Sequence, residues 1–162
     1  MGHKERIPDF KIYSKQEKDV IVDKLRAQFG IVELRGLIMG RGSERLFLYQ
    51  GDLEPKEIMN LEHMRINIER CGIYFAKIHR DEVRLSIEGV HVLKDQIKKN
   101  IYELDEEQAQ KWMEGSELNV APDMRGFVVM KHEDYFLGCG KASAEKIGNF
   151  VPKNRRLKIR QN

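Results

Sequence analysis

The sequence predicts an α+β protein in which a small N-terminal α/β domain, residues 1–95, packs on a C-terminal β-barrel, residues 96–162. Helix-start signals alternate with hairpin signals along the first part, which is typical of a mixed domain of helices and antiparallel strands. The second part carries one short helix and several short strands separated by glycines, which is typical of a small barrel. No internal repeat or low-complexity linker separates the two parts, so we expect them to pack together.

The N-terminal part begins with a capping box at Ser14-Lys15-Gln16-Glu17, which predicts a helix over residues 15–29. Pro55 suits the first turn of a second, shorter helix. A third helix over residues 86–93 is weaker, because Gly89 and its β-branched neighbours lower the helix propensity. Strands are predicted at residues 31–39, 45–49, 73–78 and 83–87, with turns at 40–43 and 79–82.

The C-terminal part begins with an extended segment at residues 100–104, followed by a second capping box, Asp105-Glu106-Glu107-Gln108. The box opens a helix on which Ala109, Trp112 and Met113 share one face. We therefore expect Trp112 to be a core anchor rather than a platform for stacking a base. The rest is predicted to be strands and turns, including a strand at 126–131 and a glycine-punctuated segment at 137–141.

The overall composition is that of a soluble globular protein. Of its 162 residues, 41% are hydrophobic and 34% are charged, and the net charge is +3. No apolar run approaches the roughly 20 residues of a membrane-spanning helix, and the N-terminus lacks the apolar stretch of a signal peptide. Cys71 and Cys139 match no metal or redox spacing. We therefore expect a cytoplasmic protein with reduced cysteines and no membrane partner.

Positive charge is concentrated near the C-terminus. Residues 141–162 contain seven Lys or Arg residues against one acid, Glu145, about +6, whereas the whole chain carries only +3. Such a concentration is expected of a surface that meets a polyanion such as RNA. Leu157 and Ile159 alternate with basic neighbours, which predicts a strand with one basic face. The residues predicted to bind RNA are Lys141, Lys146, Lys153, Arg155, Arg156, Lys158 and Arg160.

Motifs of the common enzyme classes are missing from the sequence. Neither the dinucleotide-binding GxGxxG pattern nor the phosphate-binding GxxxxGK pattern occurs, and the five histidines show no HxxH or HExxH spacing. We therefore expect no cofactor, no metal and no catalytic residue. One enzymatic alternative stays open, an unrecognised site around His132, Asp134 and Cys139.

Four segments of the C-terminal part follow the order and spacing of a known RNA-binding domain. They are Gly115-Ser116-Glu117-Leu118, Gly126-Phe127-Val128-Val129, Leu137-Gly138-Cys139-Gly140-Lys141 and the run from Gly148 to Leu157. On these segments, residues 106–157 resemble the PUA-type domain that ends the Fmu/Sun-type ribosomal RNA cytosine methyltransferases. The resemblance implies a PUA-like β-barrel that binds RNA. Gly148 departs from the family, which often has lysine at this position.

The order of the two parts is similar to that of the Nip-type ribosome-biogenesis factors, in which a small α/β domain precedes a PUA domain. The stretch from Cys71 to Lys77 adds to this likeness. The resemblance implies a non-catalytic protein of ribosome biogenesis or rRNA modification that binds RNA through Arg155, Arg156, Lys158 and Arg160. The implied partners are rRNA and an rRNA methyltransferase or a ribosome-assembly protein, and a partner enzyme would perform any methylation. The alternative is a protein–protein adaptor of an RNA-modification or exosome complex.

Overall fold

The computed structural model describes residues 10–42, 44–64 and 71–159 of the chain. Within these residues it contains nine strands and four helices, and the strands form two separate sheets. The α+β class predicted from the sequence is therefore confirmed.

The first sheet has five strands, and each pairs antiparallel with the strand next to it in the chain. The strands are β1 (Phe10–Ile12), β2 (Leu37–Arg41), β3 (Arg45–Tyr49), β4 (Ile73–His79) and β5 (Glu82–Leu85). Three helices accompany this sheet, namely α1 (Lys15–Phe29), α2 (Pro55–His63) and α3 (Ile87–Leu93). Together these elements form the N-terminal part of the molecule.

The second sheet has four strands in the order β6-β7-β8-β9. They are β6 (Ile101–Glu103), β7 (Gly126–His132), β8 (Tyr135–Ala142) and β9 (Ile147–Asn149), with α4 (Glu106–Met113) between β6 and β7. β6 runs parallel to β7, whereas β7, β8 and β9 are antiparallel. A parallel pair needs a crossover connection, and the segment that contains α4 supplies it.

The four strands do not close into the predicted β-barrel. Within the described residues β6 and β9 are the two ends of an open sheet, extended beyond β9 only by a bridge between Leu118 and Ile147. These two residues exchange backbone hydrogen bonds of 3.0 and 2.9 Å. Because β6 and β9 have three residues each and lie at opposite edges, no continuous ladder encloses an interior.

Both predicted capping boxes form. Oγ of Ser14 accepts a hydrogen bond from the N–H of Glu17 at 3.2 Å, and the carboxylate of Asp105 accepts one from the N–H of Gln108 at 2.8 Å. The return bonds, from the backbone N–H of Ser14 and Asp105 to the side chains of Glu17 and Gln108, are also present. Each helix start thus satisfies two amides that have no partner within the helix.

The strand predicted at residues 31–39 is shorter than expected. β2 begins only at Leu37, and residues 31–36 are irregular, although Ile31 and Leu34 are buried in the core. These apolar residues pack without forming a ladder, so their hydrophobicity indicates burial rather than a strand. β1 was not predicted, because three residues are too few to show an alternating pattern.

The strand predicted at 83–87 ends at Leu85, because Ser86 begins α3. Oγ of Ser86 accepts a hydrogen bond from the N–H of Gly89 at 2.9 Å and donates one to the carbonyl of Tyr74 at 2.6 Å. A Cβ at Gly89 would collide with the carbonyl of Phe75. The glycine that weakens the helix in isolation therefore lets α3 pack closely on β4.

The two faces of β7 belong to two different cores. Phe127 and Val129, with Cys139 of β8, join the core that α1 and α3 form on the first sheet. Val128, on the opposite face, packs with Trp112 of α4 in a second core. Since successive strand residues point to opposite faces, β7 joins the two parts of the molecule. The position of the domain boundary stays a prediction.

Candidate nucleic-acid interface

The C-terminal tail, which we define as residues 150–159, is ordered without being a strand. A 3-10 turn spans Lys153–Arg155, and the residues after it make no ladder. The N–H of Leu157 donates instead to the carbonyl of Met113 at the end of α4, at 2.9 Å. Leu157 and Ile159 are 53% and 72% exposed. The predicted strand with one basic face is therefore wrong.

Asn149 and Val151 hold the start of the tail against α4. The side-chain amide of Asn149 donates to the carbonyls of Trp112 and Ser116, at 2.8 and 3.0 Å, and its oxygen accepts from the N–H of Val151 at 2.8 Å. Val151 itself is buried in the second core. These contacts fix the tail to the helix end, where the carbonyl of Trp112 also accepts from the N–H of Gly115 at 3.0 Å.

Arg155 joins the tail to the N-terminal part. Its guanidinium donates a hydrogen bond to Oε1 of Glu88 on α3. Partial burial opposes ionisation of Glu88, but the hydrogen bond and the charge of Arg155 outweigh it and hold the pKa of Glu88 below its usual value. Because both side chains are about half exposed, water screens the pair, and its contribution to stability is at most about 1 kcal/mol.

Arg156 packs against the end of α4. Its Nε donates to the carbonyl of Val151 at 3.0 Å. Its side chain crosses Gly115, which has a φ of +96°. A Cβ at position 115 would lie 2.6 Å from Cδ and 2.7 Å from Cζ of Arg156. Both tail arginines predicted to bind RNA therefore also hold the tail in place.

The four predicted lysines differ in how freely they could meet a ligand. Nζ of Lys146 pairs with Glu117 at 2.9 Å. Lys141 lies over the ring of Phe127 and is exposed. Lys153 and Lys158 are exposed and form no ion pair within the described residues. Arg160, the last predicted residue, lies outside the described residues.

Aromatic and basic side chains meet where the two sheets touch, a cluster that the sequence did not predict. The guanidinium carbon of Arg84, on β5, lies 4.3 Å from the ring centroid of Phe150. The ring of Phe127 lies 6.1 Å from that of Phe150, and Nζ of Lys141 lies 5.2 Å from the Phe127 ring. His79 meets the Phe127 ring edge-on at 6.1 Å. We call these five residues the junction cluster. Its sequence signals were Lys141, which was predicted to bind RNA, and Phe150, an aromatic residue among the basic residues of the tail.

Residues 99–157 match the family model described as the PUA domain of the methyltransferase RsmF. The matched range begins just before β6, contains α4 and the other three strands of the second sheet, and ends in the tail. These residues form a PUA-like domain. The resemblance to the Fmu/Sun-type methyltransferases, predicted over residues 106–157, is thereby confirmed.

Curated relatives named "Ribosomal RNA small subunit methyltransferase F" are similar to a larger part of the chain. The protein of Psychromonas ingrahamii is 25% identical over 142 residues, which cover 86% of this chain and 29% of the relative. That of Photobacterium profundum is 25% identical over 145 residues, which cover 89% of this chain and 29% of the relative. That of Vibrio campbellii is 30% identical over 94 residues, which cover 54% of this chain and 20% of the relative.

The chain thus spans less than a third of the length of the curated relatives it matches. An alignment over 86% of the chain must also reach beyond the PUA-like domain into the N-terminal part. The N-terminal part and the PUA-like domain therefore share their resemblance to one group of proteins. The likeness of the whole plan to the Nip-type factors stays a prediction.

The alternative catalytic site does not assemble in the PUA-like domain. Cys139 is buried on β8, opposite Val129. His132 lies three residues further along β7, about 10 Å away at strand spacing, and Nδ1 of His132 is 2.9 Å from the carbonyl oxygen of Leu104. Asp134 is exposed in the following turn. Burial raises the pKa of the Cys139 thiol to about 12, which keeps it protonated and unreactive at neutral pH.

The described residues contain neither a metal-binding cluster nor a membrane-spanning helix. None of their His, Cys, Asp and Glu side chains gather in threes or more to hold a metal ion. The longest helix in the described ranges, α1, has 15 residues, whereas a span needs about 20. No helix in this part of the chain combines the length and apolar character that crossing a membrane requires.

Proposed function

We propose that this protein docks on structured rRNA through exposed cations of its PUA-like domain, in ribosome biogenesis or rRNA modification, and catalyses no reaction itself. The observation that carries the proposal is the match of residues 99–157 to the PUA domain of an rRNA methyltransferase. The basic residues predicted to bind RNA lie in or directly beside that range.

The contacts of the basic residues predicted to bind RNA support different roles for them. Lys141, Lys153 and Lys158 form no ion pair within the described residues, so they can meet phosphates without first breaking a bond. Arg155 and Arg156 keep the tail in position, and Arg155 can exchange its weak, half-exposed pair for a phosphate. Lys146 and Arg160 extend the same charge.

The proposal assigns methyl transfer to a partner. The curated relatives are named as methyltransferases, and this chain matches less than a third of their length. An rRNA methyltransferase or a ribosome-assembly protein is the proposed protein partner, and the N-terminal part is the proposed contact to it. The proposed location is the cytoplasm. Because the partner enzyme would perform the methylation, this chain would require no cofactor.

A salt titration with charge-matched variants tests the proposal. For single strands, log Kobs falls with log salt by about 0.7 for each phosphate neutralised. Removing Lys153 and Lys158 together, as Lys153→Ala with Lys158→Ala, should therefore reduce the slope for an rRNA fragment by about 1.4. The control is Lys15→Ala with Lys56→Ala, which removes the same charge from exposed positions on α1 and α2. Equal slopes for the two double variants would contradict the proposal.

A further inference from the structure

We propose that Arg84 and Phe150 form a binding site for one unpaired nucleobase of RNA, at the junction of the two sheets. The site rests on the proposed RNA-binding function and adds to it the class of nucleotide that is recognised. It combines one residue from the N-terminal part with one from the PUA-like domain. Neither part of the chain could build it alone.

Phe150 is a large aromatic ring held at the surface. It is 39% exposed, whereas most phenylalanines in the described residues are buried. Its ring is ordered by contacts with Phe127, at 6.1 Å and an interplanar angle of 56°, and with Arg84. Its neighbours along the chain are also ordered, because Asn149 is bonded to the end of α4 and Val151 is buried. A fixed, exposed ring can stack on a base with little loss of conformational entropy.

Arg84 supplies the second element of the site. Its guanidinium carbon lies 4.3 Å from the centroid of the Phe150 ring, and it has no carboxylate partner among the described residues. A guanidinium presents both a flat face, on which a base can stack, and N–H groups that bond phosphate or a base edge. The pair can therefore hold a base by stacking and its nucleotide by hydrogen bonds.

The surroundings of the pair are basic. Lys141 lies over Phe127, which is opposite it in the ladder between β7 and β8. A pocket of about 100 Å³ adjoins the Phe150 ring and is lined by Arg84, Glu88 and Pro152, among others. Glu88 is the carboxylate in this lining, and Arg155 pairs with it. The positive charge around the ring thus favours a negatively charged ligand such as a nucleic acid over a neutral or basic one.

A base in a duplex is stacked on both faces, so only an unpaired base can reach a single surface ring. Sequence-tolerant recognition is expected, because every base has a face that stacks. Phosphate contacts of the tail would then set the position of the RNA, and the junction cluster would select loops, bulges or single strands.

Fluorescence anisotropy of the whole 162-residue chain tests the site, with a labelled 12-nucleotide single-stranded RNA of mixed sequence and the corresponding blunt duplex as probes. Phe150→Ala should weaken single-strand binding by about 5- to 150-fold, the effect of losing one base stack, and should leave duplex binding and the salt slope unchanged. Phe150→Tyr should retain most of the affinity. Tyr135→Ala removes another exposed ring, 67% exposed in the PUA-like domain but outside the junction cluster, and should have no effect.

A second readout separates stacking from a loss of structure. Phe150→Trp introduces an exposed indole, while the chain's single tryptophan, Trp112, is fully buried. Quenching of the new indole by single-stranded RNA, absent with the duplex, supports the site. If Phe150→Ala binds like wild type while the lysine variants still alter the salt slope, the nucleobase site is overturned and the proposed function stands. If the wild type binds neither probe nor an rRNA fragment, both are overturned.

Discussion

The guanidinium group of Arg156 occupies the space in which a side chain at position 115 would have to stand. Gly115 has a φ of +96°, and a Cβ there would lie 2.7 Å from Cζ of Arg156. Arg156 can pack on the end of α4 because Gly115 has no side chain. This contact helps to hold the tail in its position against α4.

We expect Gly115→Ala to lower the free energy of unfolding by about 1–3 kcal/mol, because it adds backbone strain and displaces Arg156. Gly42→Ala is the matched control, since Gly42 also has a positive φ, +66°, but a Cβ there would meet nothing within 4 Å. Urea denaturation measures both. The loss at Gly115 should exceed the loss at Gly42, and this excess should disappear when Gly115→Ala is made together with Arg156→Ala. Equal losses of unfolding free energy at the two glycines would contradict the packing argument.

Gly148→Lys should strengthen RNA binding. Gly148 is opposite Lys141 in the ladder between β8 and β9, so an added lysine would extend the same basic face. A Cβ at Gly148 meets only the carbonyl of Lys141, at 3.8 Å, so the substitution has room. The salt slope for single-stranded RNA should steepen by about 0.7, corresponding to one more phosphate contact. Gly148→Gln is the control for side-chain size, and a slope that is the same for both variants would show that this position does not reach the RNA.

Glu88→Gln should also strengthen RNA binding, because it removes a negative charge from the junction and frees Arg155. The expected change is a few-fold gain in affinity at low salt, because Arg155 no longer has to leave Glu88 to meet a phosphate. The salt slope should change by less than the value of about 0.7 for a whole extra phosphate contact. Stability should fall by no more than about 1 kcal/mol, since the pair is half exposed. Glu33→Gln breaks a comparable exposed pair with Arg35 in the N-terminal part and serves as the control. A loss of RNA affinity in Glu88→Gln would mean that the ion pair is needed to present the tail.

The buried thiol of Cys139 should make stability depend on alkaline pH. Burial raises its pKa to about 12 in the folded protein, whereas an unfolded cysteine titrates near about 8.5. Between these values the unfolded state binds fewer protons, so the thiol's contribution to stability is complete below about pH 8.5 and is lost as the pH rises, by at most about 1.4 kcal/mol per pH unit. Urea denaturation under reducing conditions should therefore show that the free energy of unfolding falls more for wild type than for Cys139→Ala between about pH 8 and pH 10. Cys71→Ala, which removes a less buried thiol, is the control. Parallel pH profiles for wild type and Cys139→Ala would refute the assignment.

Local signals predicted the helices well. The capping boxes at Ser14 and Asp105 correctly indicated two helix starts, and the spacing of Ala109 and Trp112 predicted a buried indole, which is 0% exposed and donates to the carbonyl of Leu137 at 2.8 Å. Such signals work because the bonds they describe join residues a few positions apart.

The glycine-punctuated segment shows where local interpretation ends. Residues 137–141 lie within strand β8, whose register with β7 shifts between Cys139 and Phe136, where Gly138 has a φ of +87°. A Cβ on Gly140 would lie 2.7 Å from Cη2 of Trp112 and 2.6 Å from Cγ2 of Ile147. The glycine is therefore required by the indole packed against it, and that contact can be recognised only once α4 and β8 are placed together.

The amino-acid sequence by itself determined the α+β class, the helix starts, the PUA-like character of the C-terminal part and the concentration of positive charge near its end. Only the tertiary structure decided which of these charges are paired and which are exposed. In the folded chain the tail bonds to the end of α4 instead of joining a sheet, and Arg155 pairs with Glu88. Arg156 packs over Gly115, and Arg84 lies over the ring of Phe150. The physical reason is that a charge or ring acquires its role from its neighbours in space, and these neighbours come from strands and helices far apart in the chain.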